Sequence, residues 1–215
     1  MATNTITVYP ASYDQSNYSY ASVNSSYPLS NPIGKGSNNS TYAQWTLKTG
    51  SSAESYVFYK FDLSEIPSNA TIDSVSCSAK GYISSTTSSR ISARTMQMYY
   101  GTSTAKGSSV NMSTTASAQT ISCGTWTREE LNDCRIRIYA KRGSSQTTTS
   151  RTARFYGATL TVTYTVPDDG PILYLKEDGI WNAYSAVYKK ANGIWVQQSD
   201  LESVLNSTAK YVKKN

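Results

Sequence analysis

The clearest alternation of apolar and polar positions runs from Tyr56 to Ile83. Val57, Tyr59, Phe61 and Leu63 alternate with Tyr56, Phe58, Lys60 and Asp62, the two-residue period of a strand with one buried face. The turn formers Ile66-Pro67-Ser68-Asn69 interrupt it, and Val75, Cys77, Ala79 and Gly81 then alternate with Ser74, Ser76, Ser78 and Lys80. The two runs predict core strands joined by a loop. Ile91 to Tyr100 reads as a strand with bulky residues on both sides. Ile136 and Ile138 mark another strand, with Arg135 and Arg137 on a solvated opposite face, and Ala158, Leu160, Val162 and Tyr164 a closing one. Upstream, a short strand around Ile6 to Val8 leads into a segment that Pro28, Pro32, Gly34 and Gly36 break into short strands and exposed loops. Ser84 to Arg90 is polar and residues 101–122 are poor in large apolar groups, and Thr127 with Glu130 three residues later is a capping box that predicts one helical turn. The expectation for residues 1–166 is one antiparallel β-sandwich, with Val57, Tyr59, Phe61, Val75, Cys77, Ile136, Ile138, Leu160 and Val162 facing inward.

Beyond residue 166 the pattern changes. Residues 167–171, Pro-Asp-Asp-Gly-Pro, have linker composition, and residues 172–215 contain an internal repeat in which Tyr174 to Trp181 matches Tyr188 to Trp195. Asp178-Gly179 and Asn192-Gly193 are the dipeptides that best accept the positive φ angles of two-residue hairpin turns, so each copy is expected to be a small hairpin. A lone hairpin is marginal in water, which makes Ile180, Trp181, Ile194 and Trp195 candidates for mutual burial or attachment to a partner. Ser199 with Glu202 is a second capping box, predicting a short terminal helix with Leu201, Val204 and Leu205 on one face.

Composition supports an all-β class. Eighteen Tyr against three Phe, with 38% hydrophobic residues and abundant Ser and Thr, suit half-buried pleated surfaces. A chain of 215 residues accommodates one sizeable β domain and a small appendage. Without an apolar run of membrane-spanning length or a secretory N-terminus, it is expected to be made in a cytosol and not addressed to a membrane. Cys77, Cys123 and Cys134 lack metal-type or redox-type spacing and are expected as free, buried thiols, with no metal or cofactor.

Two stretches carry a family resemblance. Phe61-Asp62-Leu63-Ser64 with Ile66-Pro67, Ala70-Thr71-Ile72 and Ser74-Val75 resembles the signature of a jelly-roll family found in bacterial surface proteins and bacteriophage virion proteins. Trp126 to Ile138 followed by Phe155 to Tyr164 resembles the later half of that family, where a short helix precedes a strand and a closing strand returns to the core. The Gly-Ile-Trp hairpins at the C-terminal end resemble modules of phage structural proteins. The resemblance implies a jelly roll in a virion-surface setting, synthesised in the bacterial host cytoplasm, with other virion proteins and further copies of itself as partners. It carries no binding residues over.

The chemistry available to the chain narrows the function. With no histidine, Ser-His-Asp and Cys-His catalysis and histidine zinc ligation are excluded. Glycoside cleavage would need paired carboxylates roughly 5–10 Å apart. The acids of the central region, Asp62, Glu65, Glu129, Glu130 and Asp133, form no recognisable catalytic pattern, so the chain is expected to be no enzyme. Between Lys80 and Arg154, eleven Lys or Arg face three acids, a net of eight positive charges suited to an acidic partner. No RNA-binding aromatic motif, helix-turn-helix or zinc finger accompanies them, and nucleic acid is not the expected partner. The Tyr-rich first quarter has two readings: rings packed between sheets, or rings stacked on sugars. Tyr18, Tyr20, Tyr42 and Trp45, flanked by polar residues, are the candidates for the second. The functions in competition are a non-enzymatic virion accessory protein, in capsid decoration, collar, fibre or tail, with host-surface glycan binding as one option within that class; a polysaccharide-degrading enzyme; and a free carbohydrate-binding module.

Overall fold

The computed structural model describes residues 2–19, 21–49, 53–144, 149–167, 173–177, 180–191, 194–198 and 210–214; for 15–19 and the strands beyond 167 it describes the backbone alone. The chain divides into two compact units, Met1–Val166 and Pro167–Asn215.

The first unit is an all-β sandwich. Its eleven strands are β1 (Ala2–Val8), β2 (Pro10–Ser19), β3 (Ala21–Val23), β4 (Ala43–Leu47), β5 (Glu54–Phe61), β6 (Thr71–Ile83), β7 (Ile91–Tyr100), β8 (Thr104–Asn111), β9 (Ser117–Ile121), β10 (Cys134–Arg142) and β11 (Arg151–Val166). They form two antiparallel sheets. The first runs β3-β4-β11-β6-β9, with β1 on the second half of β11; the other runs β2-β5-β10-β7-β8. The 16-residue β11 is long enough to serve two neighbours on one side, β4 against Arg151–Phe155 and β1 against Leu160–Val166.

The two strongest sequence runs, β5 and β6, lie in different sheets. The loop between them carries the chain across, folding Leu63 and Ile66 into the core while Asp62 Oδ1 accepts the Ser64 N–H at 3.0 Å. Between the sheets Val57, Tyr59, Phe61, Cys77, Ile136, Ile138, Leu160 and Val162 are buried, with Val75 partly buried against them, as the alternation predicts. Tyr59 meets Phe155 from the opposite sheet at 4.7 Å between ring centres, and its hydroxyl donates to Leu29 O at 3.1 Å. A phenol that deep in the core needs such an acceptor. The predicted helical turn is α1 (Arg128–Leu131): Thr127 Oγ1 accepts the Glu130 N–H, and Glu130 Oε2 accepts the Thr127 N–H at 2.9 Å. Arg128 anchors it by donating to the carbonyls of Ile66 and Pro67.

Two local readings are corrected. Residues 101–122 hold β8 and β9, edge strands that need few apolar side chains because each bonds to one neighbour only. The outer side of β10 is also drier than a solvated face. Arg137 is stacked 4.5 Å from the Tyr99 ring and 5.3 Å from Tyr139, and Arg135 is held by Asp133 and Asp14. Phe58 also points to that side and is nonetheless buried, with Tyr99 edge-on at 5.4 Å. This sheet therefore carries a second, thin aromatic layer outside the main core.

The second unit is a four-stranded antiparallel sheet of β12 (Leu173–Glu177), β13 (Ile180–Ala191), β14 (Ile194–Gln198) and β15 (Lys210–Lys214). Glu177 pairs with Ile180 and Ala191 with Ile194, on either side of the Asp178-Gly179 and Asn192-Gly193 dipeptides. The repeats share the central strand β13. The helix expected from Ser199 falls outside the described residues.

Candidate functional site

Of the four candidate rings, the structure describes the side chains of two, Trp45 and Tyr42, and sets them on opposite faces of the first sheet. Trp45 sits on β4 with its side chain wholly in the core, so it packs the sandwich and offers no ring to a ligand. The polar neighbours Gln44 and Thr46 that suggested exposure point to the other face of the same strand. Tyr18 lies on β2 with its backbone opposite Ser55, its side chain outside the description, and Tyr20 falls outside the described residues. Tyr42 is half-buried on the outer face of the first sheet, at the centre of an aromatic and cationic belt. Ile180, Trp181, Ile194 and Trp195 lie on β13 and β14, where only the backbone is described.

The belt follows from how β6 and β11 pair. β6 presents Lys80 and Tyr82 outward and β11 presents Arg154 and Tyr156; the antiparallel register sets Arg154 opposite Tyr82 and, past a bulge, Gly157 opposite Lys80. Each cation thereby reaches the other strand's ring: Arg154 Cζ lies 5.0 Å from the Tyr82 ring centre and Lys80 Nζ 4.7 Å from that of Tyr156. Arg154 is also 4.6 Å from the Tyr42 ring, while its Nε donates to Gln44 Oε1 at 2.8 Å. Tyr42 stacks on Tyr27 at 4.6 Å with the planes 23° apart, and Tyr156 leans on it at 5.0 Å. A hydrogen bond with Tyr27, and then burial, push the Tyr42 hydroxyl above its ordinary pKa. Tyr27 closes the stack and is 37% exposed, so it is the ring of the belt most open to a ligand.

A groove continues from the belt. The loop of residues 32–39 lies on the β11 bulge, where Ala158 N–H donates to Lys35 O at 3.2 Å, Ser37 N–H to Thr159 Oγ1 at 3.1 Å and Asn39 Nδ2 to Tyr156 O at 3.1 Å. Lys80 Nζ donates to Asn39 O at 3.0 Å, which ties loop and belt together. Between this loop and the exposed Tyr9 lies a hollow of about 330 Å³ walled by Lys35, Asn38, Asn39 and Thr159. Two more hollows, of about 310 and 390 Å³, carry it past Tyr9 to Asp62, Ser64 and Lys60. Beyond the belt the same sheet face is a carpet of short hydroxyls: Thr3, Thr5 and Thr7 on β1 each face Thr165, Thr163 and Thr161 with hydroxyl oxygens 3.4 Å apart.

Such a surface holds a chain of rings and hydroxyls better than a small compact molecule, because its aromatic faces, amides and hydroxyls are spread along a shallow path. The central acids are mostly engaged elsewhere. Glu130 holds the helix cap and Lys106, and Asp133 holds Lys60 and Arg135. Asp62 and Glu65 do share one hollow, but the Ser64 N–H holds the Asp62 carboxyl below its ordinary pKa, opposite to the direction a general acid needs. The three thiols are free and buried; burial pushes Cys77 and Cys134 far up and Cys123 to about 11, so none is a poised nucleophile. Tyr9 and Tyr27 belong to the Tyr-rich first quarter but not to the four candidates, and sequence reasoning missed Tyr82, Tyr156 and both cations of the belt. No family model, curated protein or solved structure matches the chain.

Proposed function

We propose that the protein is a non-enzymatic, surface-displayed glycan-binding protein of a bacteriophage virion, serving as a head decoration, collar, fibre or tail component. The observation that carries glycan binding is the belt of Tyr27, Tyr42, Tyr82 and Tyr156 joined through Asn39 to the groove at Tyr9. The virion setting rests on the jelly-roll signature in residues 61–75 and 126–164, with which a sandwich whose chain crosses repeatedly between two antiparallel sheets is compatible. In this reading the second unit attaches the protein to other virion proteins or to further copies of itself, with Ile180, Trp181, Ile194 and Trp195 as the contact residues. Binding of the purified protein to polysaccharide extracted from host cells, together with mass spectrometry of purified particles, tests both halves. A protein present in virions that retains host polysaccharide, and loses it on Tyr27→Ala with unchanged thermal stability, supports the proposal. Absence from particles defeats the virion half, and undiminished retention by the variant defeats the site.

A further inference from the structure

The distribution of acids sets the belt apart from the rest of the sandwich. Residues 15–53, 74–128 and 134–167 contain no Asp or Glu, and these three segments supply every residue of the belt. The first unit holds fourteen Lys or Arg against eight acids, so it carries the whole of the +6 net charge. Four cations elsewhere in the unit meet carboxylates: Lys60 and Arg135 meet Asp133, Lys106 meets Glu130, and Lys141 meets Glu54, whereas Arg128 and Arg137 lie on carbonyls and rings. Lys80 and Arg154 also meet no carboxylate among the described residues. Their partners are ring faces and neutral oxygens, Asn39 O and Gln44 Oε1, which orient a cation without cancelling its charge.

Resting on the glycan reading above, we propose that the belt selects acidic glycans, those carrying a carboxylate or a phosphate on a sugar ring or along the backbone. Binding Nε to Gln44 fixes the plane of the Arg154 guanidinium, while its terminal nitrogens make no hydrogen bond or ion pair among the described residues. A fixed guanidinium fork matches the two oxygens of a carboxylate or phosphate, and Lys80 supplies a second point charge nearby. The rings take the apolar face of the sugar bearing that anion. Single-stranded nucleic acid combines the same two features but asks for successive open ring faces, whereas Tyr42 is covered by Tyr27 on one side and approached by Arg154 and Tyr156.

Calorimetric titration of the full chain tests this with four probes of matched length: a galacturonate oligomer, a phosphate-linked mannose oligomer, a neutral galactose oligomer and oligothymidylate. We expect at least one acidic oligomer to bind about tenfold or more tighter than the neutral one at low salt, the scale of one charge-assisted contact. Which of the two binds identifies the anion as carboxylate or phosphate. Arg154→Gln and, separately, Lys80→Gln should each weaken acidic-oligomer binding by more than neutral-oligomer binding, so that the acidic-to-neutral affinity ratio falls about tenfold towards one, with the urea midpoint reporting that each variant is folded. Equal affinity for acidic and neutral oligomers overturns this inference and leaves glycan binding standing. Tightest binding to oligothymidylate overturns it in favour of nucleic acid. Binding of no sugar at all overturns the glycan reading itself.

Discussion

Gly157→Ala is the most demanding test of how the sandwich positions its surface. Gly157 sits in the β11 bulge with φ +147°, a region that residues with a side chain rarely enter, and an added Cβ would lie 2.3 Å from Lys35 O and 2.8 Å from Gly36 O. Both obstacles are backbone, so neither can rotate away. The strained backbone costs about 1–3 kcal/mol and the forced separation of loop from strand about 1–2 kcal/mol more, giving a loss of about 2–5 kcal/mol. Gly34→Ala is the matched control: φ is +67° but nothing lies within 4 Å, so about 1 kcal/mol is expected. Urea unfolding followed by pulsed thiol labelling suits the comparison, because Cys77, Cys123 and Cys134 all lie in the sandwich and report on that unit alone. At a slope of about 2 kcal/mol per molar urea, the midpoint of the Gly157 variant should fall by about 1–2.5 M and that of the control by about 0.5 M. The Gly157 variant should also bind glycan more weakly, since the displaced loop carries Asn38 and Asn39. Equal midpoints for the two variants would refute the reasoning, because they would mean that the loop does not press on the bulge.

Three further outcomes follow from the same contacts. With burial raising all three thiols, Cys123 to about 11, a thiol reagent at pH 8 should modify none of the cysteines in the folded protein and all three in denaturant; fast labelling of the native protein would contradict their burial. Trp45→Ala should cost about 3–5 kcal/mol in thermal or urea unfolding. Trp45→Phe should cost markedly less, because it keeps a ring in the core and leaves a smaller cavity while losing only an indole N–H without a hydrogen-bond partner among the described residues. Glu130 has its pKa lowered by its bond to Lys106 and then by the Thr127 N–H. Its contribution, about 1 kcal/mol, is therefore complete above the ordinary carboxylate range and fades as pH falls through the lowered value. Glu130→Gln should be less stable than the parent at pH 7 and equal to it near pH 3, and a gap that persists into acid would rule out the ion pair as its source.

The fold was legible in the sequence where burial is one-sided. Val57 to Phe61 and Cys77 to Gly81 alternate because one face of β5 and of β6 meets the core, and that period survives in any sheet that buries them. The same period says nothing about which strand lies beside which. β5 and β6 read as core strands joined by a loop, and they lie in different sheets, since a loop containing Pro67 and Asn69 can either turn a hairpin or cross between layers. β8 and β9 were invisible for a different reason: their stability comes from backbone bonds to β7 and β6, which leave no mark in side-chain hydrophobicity. Arg137 was misjudged because a guanidinium can lie flat between two rings, and nothing in an alternating Arg-Ile pattern distinguishes that from solvation.

The belt was illegible as a set of rings and legible as a pairing rule. Tyr27, Tyr42, Tyr82 and Tyr156 come from three separate stretches of chain, and their polar neighbours are shared by many tyrosines that do not join them. The local signal was a cation two residues before a tyrosine, in Lys80-Gly81-Tyr82 and again in Arg154-Phe155-Tyr156. Two residues apart on a strand means the same face. When two such strands pair antiparallel, the cation of each comes to the level of the other's ring, so two short patterns with no aromatic contact of their own make two cation-ring contacts together. The extra residue of the bulge keeps Tyr156 outward while Gly157 makes room for the loop of residues 32–39. The device that aligns the belt is thus also the one that seats the groove beside it. A strand pair of this kind places positive charge and ring faces on an outer surface at fixed spacing without a carboxylate to neutralise them, which is the property that an acidic, ring-bearing ligand would read.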